Sequence, residues 1–271
     1  MSSPIPVALI GLGGVGRAIL AQLLSPALSS KFSLVLIANS RQSLSLPLPN
    51  SPITPTNYAP ILEKHGAPLD LASVISVLSS HPAGNGVLID STGSETVPAL
   101  YPQILSLGLH VVTPNKKAVS GDIELYSQIV GASYPNSPAM YFGESTVGAG
   151  LPILSTLKDL VETGDEIEKI EGVFSGTLSY IFNEYSKVEG GDVKFSEVVS
   201  VAKDLGYTVS RVPRCLLWAD CAFLCCHSMN EIHAGSYGVP LYCCLAGRPD
   251  PALLFPGHHL SQPFCSRYVR N

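Results

Sequence analysis

The six residues Gly11-Leu12-Gly13-Gly14-Val15-Gly16 restrict this chain more than any other stretch. They follow at once on an apolar run, residues 7–10, that reads as a strand. They open a segment, residues 15–24, whose apolar positions recur at helical spacing. A glycine pattern between strand and helix has a physical use. Gly11 permits a tight turn, Gly13 lets backbone approach a pyrophosphate, and Gly16 lets helix and strand pack closely. Phosphates then sit at the helix N-terminus, where free N–H groups and the helix dipole attract anions. The pattern predicts a dinucleotide-binding, Rossmann-type α/β domain.

The next hundred residues agree with that start. Residues 34–38, 87–89, 110–113 and 140–142 read as buried strands, and residues 69–78 and 97–107 as helices between them. The order predicts a doubly wound parallel sheet. Residues 40–60 are rich in Ser and Pro and are expected to be an irregular connection. The first domain is placed at 1–147. The pattern then changes. Residues 151–161 read as a helix, 166–174 as a half-buried antiparallel strand, and 179–185 and 195–205 as helices, the last closed by Gly206. Residues 148–208 are therefore expected to begin a second, α+β domain.

A net charge of −5 offers no basic face for nucleic acid. No apolar run approaches the ~18 residues of a membrane span, and the first ten residues lack the positive region of a secretory signal. A cytoplasmic protein acting on a small molecule is the expectation. Where NAD-binding folds place an acidic residue on the ribose, this chain has Ala38-Asn39-Ser40-Arg41. Arg41 suits a 2′-phosphate, so NADP is expected over NAD, with NAD still open. Asp90-Ser91-Thr92-Gly93 and His110-Val111-Val112-Thr113-Pro114-Asn115-Lys116-Lys117 both end strands on the side where such folds bind ligands. Lys116 is the cation placed to polarise a carbonyl or hold a carboxylate.

Together these motifs resemble homoserine dehydrogenase in its short monofunctional form. The match runs through Gly11 to Gly16, Thr113-Pro-Asn-Lys-Lys117, and Glu144-Ser-Thr-Val-Gly-Ala-Gly-Leu-Pro152. It continues through Phe174-Ser-Gly-Thr-Leu-Ser-Tyr-Ile-Phe-Asn-Glu184 and Leu205-Gly-Tyr-Thr208, and covers residues 4–208. The resemblance implies reversible reduction of L-aspartate 4-semialdehyde to L-homoserine with NAD(P)H, on the route to threonine and methionine. It assigns Gly13, Val15, Gly16, Thr92, Lys116 and Gly206 to the cofactor, and Gly176 and Thr177 to the border of the substrate. It also implies a structural sodium ion on Glu144 and the carbonyls of Val147, Ala149 and Leu151, and a homodimer.

Beyond residue 208 the resemblance stops. The family's acidic, proline-containing loop, its substrate Asp and its catalytic Lys are not matched in residues 209–271. All nine lysines precede that segment, while all seven cysteines and the single tryptophan lie within it. Such a partition predicts a stretch of different origin, an unspliced intron or a shifted frame. The cysteines lack the paired C-x₂-C units of zinc sites. Two functions are thus expected to compete: an active reductase, and a dinucleotide-binding product without turnover. A semialdehyde dehydrogenase would need a cysteine in the enzyme-like part, and residues 1–208 have none.

Overall fold

A computed structural model describes residues 3–49, 51–82, 84–167, 170–171, 174–187, 193–207 and 241–242. The chain forms two compact units, Met1–Thr146 and Val147–Asn271.

In the first unit the strands are β1 (Ile5–Ile10), β2 (Phe32–Ala38), β3 (Gln42–Ser45), β4 (Ala67–Pro68), β5 (Val87–Asp90), β6 (His110–Val112) and β7 (Tyr141–Phe142). The helices are α1 (Gly14–Leu23), α2 (Tyr58–His65), α3 (Leu71–Ser79), α4 (Tyr101–Ser106), α5 (Lys117–Ser120) and α6 (Ile123–Gly131). They build one seven-stranded sheet in the order β4-β3-β2-β1-β5-β6-β7. Its five central and right-hand strands, β2-β1-β5-β6-β7, are parallel, and β3 and β4 are antiparallel additions at one edge. This is the expected doubly wound α/β sheet. Residues 7–10 are all buried, as a central parallel strand with both faces covered requires. Leu9 and Ile37 pack with Leu20 of α1 and Leu62 of α2 in the core. The chain leaves β1 toward β2 on one side and returns to β5 on the other. The crevice at the carboxyl ends of β1 and β5 is therefore the switch point where such sheets bind ligands.

Three expectations need correction. Residues 40–60 are not wholly irregular. The Asn39 side chain accepts from the N–H groups of Arg41 and Gln42, both at 2.8 Å, and this turn reverses the chain into β3. Within β3 only Leu44 is buried, so the strand carries too little apolar signal to stand out among serines. Pro60 lies in the first turn of α2, where the missing N–H costs nothing, and does not mark a loop. The helix expected at 97–107 opens with a tighter turn, Pro98–Leu100, before α4 begins with Pro102 in its first turn. Two prolines so close fit only at turn starts. A further helix, α6, was not anticipated; its N-cap Asp122 accepts from Glu124 N–H at 3.0 Å.

The second unit holds α7 (Ile153–Glu162), β8 (Ile170–Glu171), α8 (Gly176–Tyr185), α9 (Phe195–Asp204) and β9 (Leu241–Tyr242). Ile181 of α8 packs on Val198 and Ala202 of α9. Ser175 caps α8 by accepting from Leu178 N–H at 3.2 Å. Of the strand expected at 166–174, residues 168, 169, 172 and 173 lie outside the described residues, and β8 pairs with β9 in parallel rather than antiparallel. Alternating polarity fixes which face is buried, not the direction of the neighbour. Apart from β9, the expectations for residues 209–271 lie outside the described residues.

Candidate functional site

Gly11 leaves β1 with φ +94°, a conformation that side chains other than hydrogen rarely tolerate. A Cβ there would stand 2.7 Å from the Ser91 carbonyl carbon and 2.8 Å from the Thr92 nitrogen. The turn after β1 and the loop after β5 therefore touch backbone to backbone. Gly16 closes the other side, for its Cβ would fall 1.9 Å from the Gly11 carbonyl oxygen. The Ser91 hydroxyl donates within this junction, 2.7 Å from the Gly11 carbonyl. Gly13 and Gly14 differ: a Cβ on either meets nothing within 4 Å. Gly13 is the N-cap of α1. Among the described residues no side chain caps the first N–H groups of α1, and Val15 is exposed beside them. Gly11 and Gly16 serve packing, while Gly13 and Gly14 border open space at the start of α1.

Behind this opening lies a buried polar cluster that the sequence reading did not single out. Asp90, at the end of β5, is fully buried, and Thr113 and Asn115 are nearly so. Tyr101 of α4 donates to Asp90 Oδ2 at 2.5 Å, and Asn115 Nδ2 donates to the same oxygen at 3.0 Å. Thr92 N–H donates to Asp90 Oδ1 at 2.8 Å. The Thr113 hydroxyl donates to the Asp90 carbonyl at 2.7 Å and accepts from Asn115 N–H at 2.9 Å. Burial, followed by the charge of Asp90, pushes the Tyr101 phenol well above its ordinary range, so Tyr101 is a donor at neutral pH. Burial raises the Tyr141 phenol as well, and among the described residues its hydroxyl has no hydrogen-bond partner. The only sequence signal for this cluster was polarity at positions 90, 113 and 115, where a strand end would otherwise be apolar.

Lys116 follows Asn115 and caps the short helix α5. It is half-buried, and among the described residues it makes no ion pair. Its neighbour Lys117 is engaged with Glu95 at 3.3 Å. Arg41 lies exposed past the carboxyl end of β2, the strand beside β1 on this same edge. The structure thus gathers Gly11, Gly13, Val15, Gly16 and Thr92 around one crevice and ties the Lys116 turn to it through Asn115.

In the second unit, Gly206 ends α9 with φ +77°. Its N–H donates to Lys203 O and that of Tyr207 to Ala202 O, both at 2.9 Å, which satisfies the last carbonyls of the helix. Thr177 Oγ1 donates to the Tyr207 carbonyl at 2.5 Å, so Gly176 and Thr177 sit beside Gly206. Gly148 and Ala149 both take positive φ, +68° and +53°, and make the segment carrying Val147, Ala149 and Leu151 a tight turn. A Cβ on Gly148 would overlap Ile153 at 2.3 Å. Glu144 lies in a single helical turn, Glu144–Thr146, of the first unit.

Comparison with known proteins bears directly on this arrangement. Residues 11–142 match the family model described as the NAD-binding domain of homoserine dehydrogenase, and residues 152–212 match the model for homoserine dehydrogenase itself. The chain belongs to the homoserine dehydrogenase family. It is 47% identical over 216 residues to the homoserine dehydrogenase of Emericella nidulans, covering 77% of this chain and 57% of that protein. With the Saccharomyces cerevisiae homoserine dehydrogenase it shares 43% identity over 209 residues, 74% of this chain and 56% of that one. The chain thus spans about half the length of these relatives. Its fold is also that of a hyperthermophilic archaeal homoserine dehydrogenase in complex with NADPH, with a TM-score of 0.62 at 18% identity, over 84% of this chain and 69% of that one. No helix among the described residues is long and apolar enough to cross a membrane.

Proposed function

We propose that this chain binds NADPH at the β1–β5 crevice and reduces L-aspartate 4-semialdehyde to L-homoserine, a step toward threonine and methionine in the cytoplasm. The observation that carries the reading is the open glycine cradle. Gly11 and Gly16 lock the turn, and Gly13 and Gly14 leave the α1 N–H groups free for a pyrophosphate. Those bare N–H donors and an adjoining half-buried cation fit an anionic dinucleotide. When bound, the cofactor supplies the hydride. The protein's part is placement and electrostatics. Thr92 lines the crevice, and the ammonium of Lys116 stabilises the alkoxide that develops on the substrate oxygen and gives it a proton. Arg41 pairs with the 2′-phosphate and favours NADP. The resemblance, not the geometry, gives Gly206 to the cofactor and Gly176 and Thr177 to the border of the substrate. A sodium ion on Glu144 and the carbonyls of Val147, Ala149 and Leu151 belongs to the same reading, because a carboxylate with turn carbonyls suits a hard cation. So does a homodimer.

A second reading keeps the cofactor and drops the turnover. Residues 209–271 contain no lysine, and the chain matches little more than half of its relatives. One experiment separates the two. Purified chain is titrated with NADPH by fluorescence, then assayed for oxidation of NADPH with L-aspartate 4-semialdehyde. Turnover at roughly 1 s⁻¹ or faster supports the reductase and makes Lys116 sufficient. Binding without turnover supports the second reading, and no binding sinks both.

A further inference from the structure

Asn115 is 3% exposed, and its side chain bonds both the loop after β5 and its own loop after β6. Its amide nitrogen lies 3.0 Å from Asp90 Oδ2, 2.9 Å from the Ser94 carbonyl and 3.4 Å from Thr92 Oγ1. A carboxamide has two N–H hydrogens, so the two shorter contacts are the bonds. Its oxygen accepts from Lys117 N–H at 3.1 Å, which closes a turn around Lys116. Only this orientation of the amide satisfies every atom, since a flipped group would set oxygen against carboxylate and carbonyl. The Asn115 backbone is fixed as well, through Thr113. One side chain therefore grips the loop after β5 with its nitrogen and the Lys116 turn with its oxygen.

We propose that Asn115 is a positioning residue that couples the loop of residues 91–97 to the Lys116 turn, so that Thr92 and Lys116 meet the cofactor as one unit. The cofactor half of this inference rests on the function proposed above; the coupling half does not. The Lys117–Glu95 pair also spans the two segments, but it is largely exposed and contributes little.

The test has two arms. Hydrogen exchange on the unliganded chain needs no cofactor. Asn115→Ala should speed exchange roughly tenfold or more at the amides of Thr92, Ser94, Thr96 and Lys117, with β1 and β2 unchanged. The second arm measures NADPH affinity against pH for Asn115→Asp. That change sets a second carboxyl beside Asp90, and repulsion between like charges keeps one shared proton on the pair until the pH is high enough to remove it. Asp90 is faced by Tyr101 from α4, by Tyr141 from β7 and by Asn115 itself. At about pH 5.5 a shared proton restores a donor to Asp90, and affinity should approach that of the wild type. By about pH 8 it should fall roughly tenfold further than the wild type does. Exchange changes confined to residues 116–120, or spread into β1, overturn the coupling. A pH profile parallel to the wild type overturns it too, as does loss of far-ultraviolet dichroism in step with binding, which would mark a fold-wide role. Wild-type chain that fails to bind NADPH while both loops loosen in Asn115→Ala overturns the cofactor reading and leaves the coupling supported.

Discussion

The phenol of Tyr101 donates to the carboxylate of Asp90 at 2.5 Å, and both residues are fully buried. Here α4 is fastened to the end of β5, one residue before the loop that meets the glycine turn. Removing the hydroxyl leaves a buried carboxylate oxygen with Asn115 as its remaining side-chain donor. Tyr101→Phe should therefore cost about 1.5–3 kcal/mol in urea denaturation. A loss under about 0.5 kcal/mol would show that the bond contributes little net stability.

The same phenol makes stability fall at alkaline pH. Burial and Asp90 raise the folded-state value of Tyr101, and burial raises that of Tyr141. Above the ordinary tyrosine value of about 10, the unfolded phenols ionise while the folded ones keep their protons. The unfolded chain then binds fewer protons, so stability is full below about pH 10 and declines above it, by up to about 1.4 kcal/mol per pH unit for each tyrosine. Tyr101→Phe should flatten that decline by up to one tyrosine's share. An unchanged slope between about pH 10 and 11 would rule out Tyr101 as its source.

The glycines should separate fold from binding. Gly16→Ala drives a Cβ against the Gly11 carbonyl and should cost about 1–3 kcal/mol of stability. Gly13→Ala meets nothing in the protein, and its stability should stay within about 1 kcal/mol of the wild type. The pyrophosphate needs that space, so NADPH binding by Gly13→Ala should weaken roughly tenfold or more. Gly13→Ala binding NADPH as the wild type does would remove the anion from the cradle.

For Arg41, the decisive measurement is a ratio. Arg41→Ala should weaken NADPH binding about tenfold and NADH binding less than about twofold, because only NADPH carries a 2′-phosphate for the guanidinium. Equal losses would mean that Arg41 does not read the 2′-phosphate.

The origin of residues 209–271 is best tested in the transcript. Sequencing messenger RNA across codons 200–230 should recover a spliced form that restores the acidic, proline-containing loop and a lysine-bearing helix. A transcript population holding only the present frame would make this segment a genuine part of the protein.

The sequence by itself determined the doubly wound sheet, the glycine turn at its switch point and the family. Each of these rests on short-range pattern: an apolar run, then glycines at fixed offsets, then helical spacing. It also placed Gly206 at the end of α9, because closing a helix is a local matter of backbone conformation. Strand β3 escaped it, since a short edge strand with one buried leucine is defined by its partner β2 rather than by its own composition. The direction of the strand pairing with β8 escaped it for the same reason. Above all, only the tertiary structure decided that Asp90, Tyr101, Thr113 and Asn115 form one buried network. They come from β5, α4 and the end of β6, and nothing in their spacing along the chain requires them to meet. The sheet brings them together, and burial then obliges each polar group to find a partner.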